Sequence, residues 1–266
     1  MKHGSARMLI VMSSTNHQIG DNRSITKGKE REMESQSTWK AKLALACYFA
    51  LIGGLFLGAI ILEIILLSMG IDYEDAPFPT ALIGTPINQF IILGVTLLFA
   101  KYKGAGFREL GLKTVSFRIL AIVSVLAALL YFTGLGISIA EEIVFGPDPT
   151  SELVAELVIP RDSLQLIVTV GFHLVLVGPC EELAFRGFVQ KGFENSFGKL
   201  KGLLVASALF GLLHGLNTLY AIVPIFVGGL ILGYVWQQTG GNATASALMH
   251  GINNSISITI AYLLTV

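Results

Sequence analysis

Long runs of uncharged apolar residues restrict what this chain can fold into more than any other feature. Residues 43–69 hold only one acid, Glu63, and are long enough to cross a bilayer as a helix. Similar runs recur at 80–100, 117–140, 163–186, 203–216, 219–236 and 243–266. The chain is 53% hydrophobic and 14% charged, against about 25% charged in a soluble domain. The expected fold is therefore all-α, a polytopic membrane bundle of about seven transmembrane helices.

The polar segments alternate in sign. Residues 1–40 are mixed in charge and read as a disordered cytoplasmic tail. Their only apolar piece, 8–12, is too short for a signal-peptide core, and Met33 is an alternative start. The 101–118 loop and the 186–201 turn are basic, whereas 70–79 and 141–162 are acidic. Lysine and arginine bias places basic ends in the cytoplasm, so the N-terminus is expected inside and the C-terminus outside. Residues 41–162 form an N-terminal set of helices and loops, and 163–266 a core that carries the chemistry. Residues 151–158 suggest a short surface helix. Net charge is zero, which gives no sign of a nucleic-acid partner; the expected partners are the lipid bilayer and a membrane-associated protein or peptide. Cys47 and Cys180 both sit in apolar segments and support neither a disulfide framework nor a Cys-based zinc site.

Charges are rare in such surroundings and are usually paired and functional. Residues 179–187 read Pro-Cys-Glu-Glu-Leu-Ala-Phe-Arg-Gly. Glu182 precedes Arg186 by four, the favourable order for a helical ion pair. Glu181 points about 100° away and has no local partner, which makes it the freer carboxylate and the candidate base. A hairpin turning at 197–198 would bring Glu181 and His214 to equal depth, each about 24 Å from its tip. His250 lies roughly 12 Å into the last span from the same side. Phe210 and His214 share a face, as do His250 and Asn254. Carboxylate plus histidine could hold and deprotonate a water, and histidine plus asparagine could stabilise an oxyanion. All three ionisable groups are expected to converge on one water.

The ordered trio Glu181-Glu182-Leu-Ala-Phe-Arg186, Phe210-Gly-Leu-Leu-His214 and His250-Gly-Ile-Asn-Asn254 resembles the CPBP family, which includes the type II CAAX prenyl endopeptidases. The segment Phe107-Arg-Glu-Leu-Gly-Leu112 also looks like that family. The resemblance implies an intramembrane glutamate protease, with 163–266 as its catalytic core and no metal. It implies that Glu181 and His214 activate water and that His250 and Asn254 form the oxyanion site. Glu182 and Arg186 would support them, with Phe210 fixing the His214 ring. Spacing favours Asn254 over its neighbour Asn253.

Other readings stand beside this one. Glu181, His214 and His250 make a reasonable catalytic zinc set, although no His-Glu-x-x-His helix is present. A non-catalytic membrane scaffold or immunity-like protein could retain the same residues. Glu182–Arg186 alone reads as a structural ion pair, His214 alone as packing, and His250–Asn254 alone as interhelical glue. His173, eight residues before Glu181, reads as structural or lining. The pair Glu141–Glu142 reads as a solvated interface feature, and the glycines at 229 and 233 as helix packing.

Overall fold

A computed structural model describes residues 38–71 and 77–265. The expected polar tail, apart from 38–40, and the acidic loop with Asp72, Glu74 and Asp75 lie outside the described residues. The described part is helical, with eight helices and no strand. They are α1 (Ala41–Met69), α2 (Pro77–Tyr102), α3 (Phe117–Phe145), α4 (Ser151–Val158), α5 (Ser163–Phe197), α6 (Lys199–His214), α7 (Ile222–Gln238) and α8 (Ala243–Thr265).

All seven expected apolar segments are helical. Among the described residues, α1, most of α2, α3, α5 and the α7 region are long and apolar enough to cross a membrane. The other two expected spans fall short of that measure. α6 has only 16 residues. α8 has no Asp, Glu, Lys or Arg, but it is diluted by His250, Asn253, Asn254 and several serines. His214, His250 and Asn254 thus sit on the two least lipid-like of these helices. α3 also runs further than expected, through Glu141 and Glu142, and stops at Gly146 with φ 87°. A pair of acids at a membrane boundary is no helix breaker, whereas a left-handed glycine is. Glu142 is exposed there.

Outward faces of α1 and α3 present Phe49, Phe56, Ile60, Ile64, Leu67, Val125 and Phe132. That exposure suits lipid and would be unusual in water. α1 and α2 form an antiparallel pair. A Cβ on Gly54 would lie 2.7 Å from Ile91, and one on Gly58 would lie 2.6 Å from the Asn88 side chain. The two glycines are therefore what lets these backbones approach. α1 ends in a left-handed cap at Gly70, with the Ile71 N–H donating to the Leu66 carbonyl at 3.0 Å.

α5 lies at the centre, with residues 183–190 all buried. Its turns widen to π geometry at His173–Val177 and Leu183–Gln190. The first wide turn immediately precedes Pro179, which lacks the N–H that an α-helix would use and crowds the preceding carbonyls. Gly178 N–H instead donates to the His173 carbonyl five residues back. Trp39 stacks on Phe188 at 4.6 Å and donates its indole N–H to the Phe188 carbonyl at 2.7 Å. Phe185 meets Phe210 of α6 edge-on at 4.7 Å. α5 and α6 reverse at Gly198, where φ is 83°, which is the hairpin turn expected from the sequence.

The 106–112 segment pins this centre from outside the spans. Glu109 accepts from the Gly106 N–H at 2.8 Å, and that bond holds its carboxyl below the usual range. Lys191 donates to the Glu109 carbonyl at 2.8 Å, and Gly111 accepts from the Ala243 N–H at 2.8 Å. One short turn thus ties α5 to the start of α8. Gly187 packs directly on the Leu110 carbonyl, leaving no room for a Cβ. Gly187→Ala is expected to cost about 1–3 kcal/mol through overpacking. Thermal unfolding of the detergent-solubilised protein would register this as a lower Tm, and an unchanged Tm would contradict the close contact.

Candidate active site

Glu181 and Glu182 are adjacent on α5 but face different neighbours. Glu182 is fully buried. Its carboxylate pairs with Arg186 Nε at 3.1 Å and lies 3.0 Å from His250 Nδ1. Arg186 also donates to the Gly229 carbonyl at 3.2 Å and lies over the Phe210 ring at 4.5 Å. A carboxylate only accepts, so His250 Nδ1 carries the proton, an assignment made from the partner. His250 is held through that atom, which leaves Nε2 as its other ring nitrogen.

Glu181 is held differently. Its Oε1 accepts from Gln89 Nε2 of α2 at 3.0 Å. Its Oε2 lies 3.9 Å from His214 Nε2 and has no hydrogen-bond partner among the described residues. The equal-rise hairpin thus brings these two side chains to one level, as the spacing required. His214 is the last residue of α6, and its Nδ1 lies 2.9 Å from the Phe210 carbonyl. That carbonyl only accepts, so the proton sits on Nδ1 and Nε2 presents a lone pair toward Glu181. The Phe210 ring packs edge-on against the imidazole at 4.6 Å. Phe210 therefore orients His214 twice, by its ring and by its backbone.

Convergence on one point is only partly seen. Glu181, His214 and Gln89 border a cavity of about 420 Å³ between α1, α2, α5 and α6. His250, Asn253 and Asn254 border a second cavity of about 350 Å³, with Phe210 and residues of α3 and α7. Phe210 touches both sets, with its ring 6.0 Å from His250. The carboxylate and the two imidazoles thus border two neighbouring cavities, with Phe210 between them. His250 turns to Glu182, because the doubly charged Glu182–Arg186 pair needs a further donor in a buried place.

Two residues were missed or undervalued by sequence reasoning. Gln89 gave no signal beyond being, with Asn88, one of two adjacent amides in an apolar helix. His173, read as structural, has its Nδ1 3.4 Å from Asn254 Nδ2. Asn254 also accepts from Asn253 at 3.1 Å. A π turn begins at His173, so α-helical counting between it and Glu181 does not hold.

A zinc reading asks whether Glu181, His214 and His250 fit as ligands. Among the described residues, no three His, Cys, Asp or Glu side chains are grouped as a metal site. His250 Nδ1 is already directed at Glu182. The set does not fit a zinc ion in this arrangement.

The family model described as type II CAAX prenyl endopeptidase Rce1-like matches residues 163–256. Over this region, about a third of the chain, the sequence is similar to that family. All three motifs fall inside the Rce1-like region, whereas Gln89 and the 107–112 segment fall outside it. No curated protein and no solved structure matched the chain. The CAAX prenyl endopeptidases are membrane-embedded proteases, which agrees with the apolar helices and with the CPBP resemblance of the motifs.

Proposed function

We propose that this protein is an intramembrane endopeptidase in which Glu181 and His214 activate a water for peptide hydrolysis. The observation that carries this reading is the pair Glu181 Oε2 and His214 Nε2, 3.9 Å apart on the edge of a cavity. Both atoms are acceptors and cannot bond to each other, but one water can donate a hydrogen to each. Such a water is held by both of its protons, with a lone pair free to attack a carbonyl carbon. As its oxygen bonds to that carbon, one proton passes to the Glu181–His214 pair. His250 and Asn254 supply N–H donors for the oxyanion of the tetrahedral intermediate. This requires a proton on His250 Nε2 as well as on the Nδ1 that faces Glu182. The intermediate then collapses, the C–N bond breaks, and the stored proton goes to the leaving amine.

The Rce1-like region supports a prenylated, membrane-associated substrate. The basic loops support a cytoplasmic N-terminus and a site reached from the cytoplasmic side. The test uses purified protein in detergent and an internally quenched, farnesylated peptide ending in a CaaX motif. His214→Ala is expected to cut kcat by about 10²–10⁴. Cleavage by the unaltered protein is expected to persist in excess chelator. Chelator inhibition reversed by zinc would favour a metalloprotease, and unimpaired cleavage by His214→Ala would end the water-activation reading. A phenotype that survives loss of cleavage would favour a scaffold role.

A further inference from the structure

We propose that Gln89 of α2 is a positioning residue for Glu181: its amide nitrogen holds one carboxylate oxygen so that the other faces His214. The inference rests on the proteolytic reading above and adds a residue from outside the Rce1-like region. Gln89 is 6% exposed, on a largely apolar helix. A buried amide in such a place is costly unless it is bonded. Its Nε2 lies 3.0 Å from Glu181 Oε1, a contact across 92 residues of sequence. Because an ionised carboxylate only accepts, the amide must present its nitrogen there.

The consequence is orientational. A carboxyl group turns about its terminal bond, and one anchored oxygen fixes the plane of both. Anchoring Oε1 leaves Oε2 as the atom opposite His214 Nε2, at 3.9 Å. Misplacement of a reacting group by about 1 Å can cost on the order of 10² in rate. The position of Gln89 is itself set by neighbours. Gly54 and Gly58 of α1 close on Ile91 and Asn88, within two residues of Gln89 on α2. The glycine pair thus seats the helix that carries the anchor.

The experiment measures kcat and KM on the farnesylated quenched peptide, with Tm and membrane yield for each variant. Gln89→Met keeps the volume and removes the donor. It is expected to lower kcat at least tenfold with KM changed less than twofold. Thr96→Val serves as control, since Thr96 is buried on the same helix and, among the described residues, its hydroxyl bonds the Ile92 carbonyl of its own helix, at 2.7 Å. It is expected to keep wild-type kcat. Gln89→Asn keeps the amide but withdraws it by about 1.5 Å, one C–C bond, and should also lose kcat. Wild-type kcat in Gln89→Met overturns the assignment, as does a rise in KM alone or an equal loss in Thr96→Val. Failure of both Gln89 variants to accumulate would assign Gln89 to folding and overturn it too. Glu181→Gln is run alongside: if it is inactive while Gln89→Met is fully active, only the positioning role falls. Undiminished cleavage by Glu181→Gln would remove the proteolytic reading itself.

Discussion

Glu181→Gln is expected to lower peptide cleavage by about 10²–10⁴ while leaving the protein folded. The variant keeps the shape of the side chain and an oxygen for Gln89, but it loses the basic oxygen opposite His214. Little of the fold depends on that carboxylate. Its contacts are the Gln89 bond at 3.0 Å and the approach to His214 at 3.9 Å. Activity and stability should therefore separate cleanly, with kcat on the farnesylated peptide falling and Tm holding. Residual activity above about a tenth of wild type would be too much for a lost general base.

Its neighbour should behave in the opposite way. Glu182→Ala is expected to destabilise the protein by about 3–5 kcal/mol, because it leaves the buried Arg186 without its counter-charge. Arg186 would retain only the Gly229 carbonyl and the Phe210 ring. In most backgrounds a loss of that size leaves little folded protein in the membrane. The double variant Glu182→Leu with Arg186→Met removes both charges together and fills the space. It is expected to restore accumulation, since apolar replacement of a buried pair is often neutral or stabilising. It should not restore cleavage, because His250 would still lack the carboxylate at its Nδ1. Yield and Tm report the first effect and kcat the second. A double variant as poorly folded as the single would show that the pair does more than balance charge.

These two adjacent acids illustrate what could be read without coordinates. Their division of labour followed from helical spacing alone: Glu182 reaches Arg186 at i, i+4, and Glu181 does not. The depth match of Glu181 and His214 followed from equal rise on either side of one turn. The partners from other helices did not follow. Gln89 lies 92 positions from Glu181, and α2 has no polar stripe to say which way it faces. His250 lies near the expected level, but nothing in the spacing announces its contact with Glu182. α-Helical spacing reads His173 as structural or lining, and its contact with Asn254 of the last helix is not visible in that spacing.

Sequence by itself determined the helical, membrane-embedded class, the positions of the seven apolar segments, the hairpin at Gly198 and the separate characters of Glu181 and Glu182. All of these depend on length, hydropathy and the fixed rise and rotation of a helix, which are local quantities. Only the tertiary structure decided which side chains from distant helices meet: Gln89 with Glu181, His250 with Glu182, and Asn254 with His173. In helices apolar all round, hydrophobicity carries no information about azimuth. Rotation about each axis is settled instead by close contacts, such as those at Gly54, Gly58 and Gly187, and by the need of each buried polar group for a partner.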